Sequence, residues 1–129
     1  WLINSSATLM SLDIDDFSVK SVQLLESQFP NRFRYFQCDS KSFKSEETFD
    51  LIFIDGDHSF EGIESDVKMS LQLNPKYLVF DDYFHGDHHQ IICKIISQFN
   101  LKTIKEYKSH QGQILTKNNN YLRKERNAI

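Results

Sequence analysis

The sequence predicts an α/β fold: a Rossmann-like, doubly wound and mainly parallel sheet with an antiparallel strand near its C-terminal end. Two observations predict it. Short apolar segments alternate along the chain with segments whose apolar residues recur at helical spacing. An acidic residue follows four of the apolar segments, at the edge where open α/β sheets bind their ligands. The 129 residues suffice for one domain with a substantial core.

The first part of the chain predicts a strand, a helix and a second strand. Residues 7–14 (ATLMSLDI) are mostly apolar and end in an acid, which favours a buried parallel strand. Residues 15–29 follow with apolar side chains near helical spacing, and Pro30-Asn31 ends that helix. Residues 32–39 (RFRYFQCD) alternate and are aromatic, which predicts a strand.

The second part contains the clearest strand of the sequence, residues 49–55 (FDLIFID). Residues 59–73 form the clearest helix, because four apolar side chains recur on one face at intervals of three, four and four: Phe60, Ile63, Val67 and Leu71. The remaining predicted elements are, in order, a strand at 76–82 (KYLVFDD), a helix at 88–99, and the hairpin-like pair of strands LKTIKEYK and GQILTK.

Four aspartates stand directly after apolar strands: Asp13, Asp39, Asp55 and Asp81. The carboxyl ends of parallel strands meet at one edge of a sheet, so we expect all four along a single edge. The alternative is that they are only turn and capping acids, a common use of aspartate.

The acids divide by the chemistry they suit. Asp13 stands where a nucleotide-binding sheet places a carboxylate for a ribose diol, and Asp39 is placed to accept from an adenine amino group. Asp55, Asp81 and Asp82 come from two adjacent predicted strands, so they are expected to converge. Three close carboxylates repel one another unless a cation holds them, and Mg²⁺ prefers such oxygen ligands.

The motif DGDH at 55–58 raises a separate question about its glycine and histidine. Gly56 is expected to let the chain turn tightly off the strand, which brings His58 back over the same edge. An imidazole beside a hydroxyl activated by a metal is suited to act as a general base. The alternative is that His58 caps the following helix.

Three more histidines, His85, His88 and His89, follow the Asp81-Asp82 pair in HGDHH. A cluster of His and Asp can bind zinc. Since the spacing is irregular and no cysteine is near, we expect a loop over the active site and a solvated helix start instead.

Composition restricts the partners and the compartment. A net charge of −3 argues against nucleic acid, because there is no basic excess to neutralise phosphates. No apolar run approaches the roughly 18 residues that span a bilayer, and no signal peptide is visible. Cys38 and Cys93 are expected to be reduced core residues. These features predict a cytoplasmic protein that is bound to neither membrane nor nucleic acid.

The segments LMSLDI, FQCDS and FDLIFIDGDHSFEGIESDVKMSLQLNPKYLVFDDY together resemble the class I S-adenosylmethionine-dependent methyltransferases. Within that class they are most similar to the metal-dependent O-methyltransferases of macrolide sugars and the related cephalosporin-hydroxylase-like proteins. The resemblance implies that Asp55, Asp81 and Asp82 are metal ligands and His58 the base. It also implies that the cofactor is bound at three residues: Asp13 at the ribose, and Asp39 and Ser40 beside the adenine. Asp81 stands where these sugar methyltransferases often have Glu.

The resemblance covers about residues 7–117, so we expect a methyltransferase-like domain at 1–117 and a polar tail at 118–129. The chain begins WLINSSATL without an initiator Met. The family's first strand and Gly-rich loop, which hold the methionine end of the cofactor, are expected immediately before Trp1. The domain is therefore expected to be incomplete at its N-terminus.

The function that the resemblance implies is methyl transfer from S-adenosylmethionine to a small-molecule or sugar hydroxyl, with Mg²⁺ assisting. One alternative is a metal-independent methyltransferase whose acids are structural. Another is a non-catalytic domain that keeps the fold inside a larger protein or assembly. A dinucleotide-binding dehydrogenase is a weaker alternative, because DGDH and FDD have no role there. The expected partner is a small-molecule substrate, with a homo-oligomer or a larger parent chain left open.

Overall fold

The computed structural model describes residues 2–3, 6–16 and 19–122 of the chain. The chain forms two compact units, Trp1–Phe43 and Lys44–Ile129. Most of the polar tail predicted at 118–129 lies outside the described residues, since these end at Leu122. No helix within the described ranges is long and apolar enough to cross a bilayer.

The first unit contains the predicted strand, helix and strand. They are β1 (Leu9–Asp13), α1 (Val19–Gln28) and β2 (Phe33–Gln37), followed by a short 3₁₀ helix at Ser40–Ser42. β1 and β2 pair in parallel, with Leu9 opposite Phe33 and Asp13 opposite Gln37. The parallel pairing predicted for these two strands is confirmed.

The second unit holds a four-stranded sheet and two helices. The strands are β3 (Leu51–Ile54), β4 (Tyr77–Phe80), β5 (Leu101–Tyr107) and β6 (Gln113–Asn118), and the helices are α2 (Phe60–Gln72) and α3 (His88–Gln98). The strand order is β3-β4-β6-β5. β3 and β4 are parallel, whereas β6 is antiparallel to both β4 and β5. The β5–β6 pair was predicted; the insertion of β6 beside β4 was not.

The core of the second unit lies where both helices pack on the central strands. Ile63 and Val67 of α2 are 4% and 0% exposed, as the helical spacing predicts, and Phe60 and Leu71 pack partly buried against the same core. From α3 the core receives Ile92 and Ile95, and from β4 it receives Leu78 and Phe80. Burial of these apolar side chains is the main force that fixes β3 and β4 under the helices.

The expectation that both cysteines are buried is wrong for Cys93. Both thiols are free, but Cys38 is half-buried and Cys93 is exposed on α3. Helix α3 covers the core with one face only, and Cys93 lies off that face, where Sγ is 3.6 Å from the hydroxyl of Tyr83. The Tyr83 hydroxyl also donates to Glu106 at 3.2 Å, and burial, followed by these two neighbours, raises the pKa of Tyr83 far above its usual value.

Candidate functional site

The carboxyl ends of β3 and β4 bring three of the predicted acids together in the second unit. Asp55 follows the last residue of β3, and Asp81 and Asp82 follow β4. The parallel pairing continues beyond the strands, because Asp81 N–H donates to the Ile54 carbonyl at 3.0 Å. The part of the prediction that placed Asp55 and Asp81 at one edge is therefore confirmed. That Asp13 and Asp39 share this edge stays a prediction.

The three carboxylates affect one another electrostatically. The pKa of Asp55 is raised, first by partial burial and then by the negative charges of Asp81 and Asp82. His58 acts in the opposite direction and lowers it. The Asp55 side chain is 55% exposed, so solvent screens these charges and the free-energy cost of keeping it ionised is small; a bound cation would offset it. Among the described residues, these three carboxylates do not form a group whose ligand atoms all lie within 4.8 Å of one another, so a hard divalent ion held by all three stays a prediction.

Amide side chains from β6 and the turn before it support two of these acids. Gln113 Nε2 donates to Asp81 Oδ1 at 2.6 Å. The amide nitrogen of Gln111, in the orientation that satisfies its neighbours, donates to Asp82, with 3.1 Å to Oδ2. Neither glutamine was predicted from the sequence. Their signal was the alternation Gln-Gly-Gln at the start of a strand, which becomes informative only once β6 is known to pair with β4.

His58 lies between the two strand ends. Its Nε2 is 3.8 Å from Asp55 Oδ1 and 3.7 Å from Asp82 Oδ2, and its side chain is 34% exposed. The ring therefore reaches both acids while a face stays open to solvent. His58 therefore lies at the predicted edge, and its role as a general base stays a prediction.

Ser59, rather than His58, caps helix α2. The Ser59 hydroxyl accepts from Gly62 N–H at 3.0 Å, and the Asp57 carboxylate accepts from both the Ser59 backbone N–H and its hydroxyl. The two acids of DGDH therefore have different tasks: Asp55 faces His58, and Asp57 fixes the turn. The alternative that His58 serves as the helix cap is contradicted.

Gly56 leaves room for a neighbouring carboxylate rather than adopting an unusual backbone conformation. The chain bends at Gly56, as predicted, yet its φ lies outside the left-handed region. A Cβ at this position would lie 2.7 Å from Asp66 Oδ2. Glycine thus lets a side chain of α2 approach the loop that carries His58.

His88 is the site residue that the sequence analysis placed elsewhere. It was expected at a solvated helix start, but its ring centroid is 4.2 Å from that of His58, and it lines a small cavity together with His58 and Asp81. Ile63, Phe80 and Ile92 form an apolar wall of that cavity. Among the described residues, one group of three potential ligands has its atoms within 4.8 Å of one another: His58, Asp82 and His88.

The proposed cofactor residues lie in the first unit and already make local hydrogen bonds. Asp13 Oδ1 accepts from Asp15 N–H at 3.1 Å, and Asp39 Oδ1 accepts from Lys41 N–H at 2.9 Å, which caps the 3₁₀ helix that begins at Ser40. Both acids are exposed. A carboxylate has about four acceptor sites, so one turn contact leaves capacity for a ligand.

Solved methyltransferase structures match the chain. They include the SAH-bound methyltransferase PaMTH1 of Podospora anserina, with a TM-score of 0.66 and 14% sequence identity. The match covers 89% of this chain and 62% of PaMTH1. The N-methyltransferase NodS of Bradyrhizobium japonicum matches with a TM-score of 0.61 and 14% identity, over 84% of this chain and 71% of NodS. A putative methyltransferase of Thermoplasma acidophilum matches with a TM-score of 0.61 and 14% identity, over 88% of this chain and 57% of that protein. The fold is that of the class I methyltransferases.

The same comparisons limit what the likeness shows. No protein-family model and no curated protein matches the chain. The chain spans less than two thirds of the length of PaMTH1 and of the Thermoplasma protein, at 62% and 57%. NodS has also been solved in complex with S-adenosyl-L-homocysteine. At 14% identity the likeness establishes the fold alone, because one fold supports many different chemistries.

Removing the charge of Asp55 tests its electrostatic strain. An acid whose pKa is raised by folding destabilises the folded state when ionised, and this cost is lifted as the pH falls. We therefore expect Asp55→Asn to raise the free energy of unfolding at neutral pH in the presence of a chelator. The gain should vanish as the pH falls below 3.8, the ordinary aspartate value. Urea unfolding of the variant and of wild type, at neutral pH and again at a pH below that value, measures the gain in the free energy of unfolding.

Asp87→Asn is the matched control, because Asp87 is an exposed acid of the neighbouring loop whose side chain makes no capping hydrogen bond. The Asp87→Asn variant should show little change in its free energy of unfolding relative to wild type at either pH. An Asp55→Asn protein less stable than wild type at neutral pH would contradict the interpretation of Asp55 as strained.

Proposed function

We propose that this protein is an S-adenosylmethionine-dependent methyltransferase that methylates a hydroxyl oxygen of a small molecule or sugar, assisted by a divalent metal ion. The observation that carries the proposal is the position of His58 between Asp55 and Asp82, at the carboxyl ends of adjacent parallel strands. The methyltransferase fold supports it. The expected cofactors are S-adenosylmethionine and Mg²⁺.

Each group in the proposal has one task. The chain's cofactor contacts are Asp13 at the ribose diol and Asp39 with Ser40 at the adenine, and the cofactor supplies a methyl group that is already activated as a sulfonium. Asp55, Asp81 and Asp82 would hold Mg²⁺, and a bound Mg²⁺ would supply Lewis-acid activation of the hydroxyl proton of the acceptor. His58 accepts that proton. Since the donor is reactive, the protein mainly has to align the groups and remove one proton.

A non-catalytic methyltransferase-like domain of a larger protein is the second candidate. It stays a candidate because the likeness to PaMTH1, at 14% identity, supports the fold and does not by itself imply catalysis. Cofactor binding and turnover in the full-length protein distinguish the two proposals. A small-molecule partner, a homo-oligomer or a larger parent chain are predictions that the fold leaves open, as is a cytoplasmic location.

Asp13→Asn tests cofactor binding. The full-length protein should bind S-adenosyl-L-homocysteine in isothermal titration calorimetry, and the variant should bind it roughly 10- to 150-fold more weakly, because one charge-assisted hydrogen bond is worth about 1.5–3 kcal/mol. Asparagine keeps an oxygen for Asp15 N–H, so the turn is preserved. Asp16→Asn, at an exposed acid of the same loop, is the control and should bind normally. Absence of binding to wild type would favour the non-catalytic domain.

Metal dependence is tested by stripping the enzyme with a chelator and restoring Mg²⁺. Turnover of the wild type should rise on addition, since Lewis-acid assistance is worth several kcal/mol in comparable sites. Asp55→Asn should need a higher Mg²⁺ concentration for half-maximal turnover, whereas Asp87→Asn should behave as wild type. Turnover that is unaffected by the chelator would favour a metal-independent enzyme.

His58→Ala tests the general base. Turnover should fall roughly 10²–10⁴-fold, the usual effect of removing a positioned base, with unchanged affinity for S-adenosyl-L-homocysteine.

Ser59→Ala provides the converse control for His58→Ala. It should lower the stability by about 1 kcal/mol through loss of the helix cap and keep its turnover per folded molecule. A His58→Ala protein with normal turnover would end the general-base proposal.

A further inference from the structure

We infer that His58, Asp82 and His88 form a binding site for a transition-metal ion of the zinc class. This site differs in its ligands from the three-carboxylate site proposed for Mg²⁺, although the two share Asp82. Binding there occupies the lone pair that His58 needs as a base, so the ion is an inhibitor of the methyl transfer. This inhibitory consequence rests on the proposed function; the binding itself does not.

The geometry of the three side chains suits a small ion. One ligand atom from each lies within 4.8 Å of the others, and His58 Nε2 is 3.7 Å from Asp82 Oδ2. Zinc bonds of about 2.0–2.1 Å in a tetrahedral site require ligand atoms about 3.4 Å apart. Small rotations of the two imidazole rings, whose centroids are 4.2 Å apart, would close the remaining distance.

A second, independent observation concerns the hydrogen bonding of the His88 imidazole. Among the described residues, its Nδ1 is one of two buried side-chain polar atoms without a hydrogen-bond partner, the other being the Ser70 hydroxyl. An unpaired buried polar atom destabilises the folded state unless a ligand satisfies it. An imidazole with an orphaned nitrogen, placed against a second imidazole and a carboxylate, is well suited to ligate a metal.

Asp82 is held in place for this task. Its φ is +51°, the left-handed region that a residue with a Cβ adopts at some cost, and its side chain is only 18% exposed. The Gln111 amide donates to the same carboxylate. A hydrogen-bonded carboxylate on a constrained backbone loses little further freedom on binding a metal.

The donor set determines which ion is favoured. Two imidazole nitrogens and one carboxylate oxygen suit Zn²⁺, Co²⁺ or Ni²⁺, whereas Mg²⁺ prefers an all-oxygen octahedron. Three protein ligands leave a further position open to solvent. Both nitrogens must be deprotonated to bind, so an ion bound to His58 through Nε2 removes the acceptor for the substrate proton.

Cobalt titration tests the binding directly. Co²⁺ alone, added to the metal-stripped full-length protein, should give visible d–d absorption bands that Zn²⁺ abolishes and equimolar Mg²⁺ does not. His88→Ala should weaken Co²⁺ binding at least roughly tenfold, whereas His85→Ala should not. His85 is the matched control, since its ring is 5.1 Å from that of His88 and it lies outside the group of three.

Two further results separate this site from its neighbours. Asp81→Asn should retain Co²⁺ binding, because Asp81 is not a ligand in this proposal. A thiolate charge-transfer band in the ultraviolet would instead assign the metal to a cysteine, Cys38 or Cys93, and would overturn the proposal. Absence of d–d bands, or equal binding by wild type and His88→Ala, would overturn it as well.

Turnover assays test the inhibition. Zn²⁺ should inhibit wild type and His85→Ala, and His88→Ala should need at least roughly tenfold more Zn²⁺ for half-inhibition of its own zinc-free rate. Binding without inhibition would overturn the inhibitory role and leave the site intact. If the protein has no methyltransferase activity, the proposed function fails, and the cobalt titration still decides whether the site exists.

Discussion

Strand β4 is paired on both sides, and the candidate site depends on that pairing. On one side β4 runs parallel to β3, which places Asp55 beside Asp81. On the other side β6 runs antiparallel, and the pairing continues past the strand end, where Tyr83 N–H donates to the Gly112 carbonyl at 3.0 Å. A polypeptide that leaves a sheet normally gains freedom. Here the residues after β4 stay bound to both neighbours, so their carboxylates are held close together.

That closeness has an electrostatic cost that the surrounding residues reduce but do not remove. The two glutamines before and within β6 donate to Asp81 and Asp82, and His58 lies near Asp55 and Asp82. Even so, burial and the two neighbouring charges keep the pKa of Asp55 raised. A structural role alone would favour amides or apolar side chains at these positions. Retained repulsion is more easily explained if a cation or a proton is bound during function.

The sequence was sufficient for the elements and for the acids, because both follow local rules. Apolar runs and helical spacing determine where β3 and α2 lie, and an acid after a strand occupies the strand end whatever else the fold does. His88 and Gln113 could not be found in this way. Their positions depend on how α3 packs and on which strand β6 joins, and both are set by contacts between residues distant in sequence. Gly56 shows a third case, since its close neighbour Asp66 is ten positions away.

The insertion of β6 between β4 and β5 also governs the order in which the second unit can assemble. β4 ends at Phe80 and its partner begins at Gln113, so α3 and β5 must be synthesised before the central strand has both neighbours. Pairings between residues so far apart form slowly, because a long loop has to close first. On the ribosome the helices and the β3–β4 pair would therefore emerge with an open edge along β4. That edge favours aggregation until β6 docks, so β6 both supports the candidate site through Gln113 and covers the open edge of the nascent sheet.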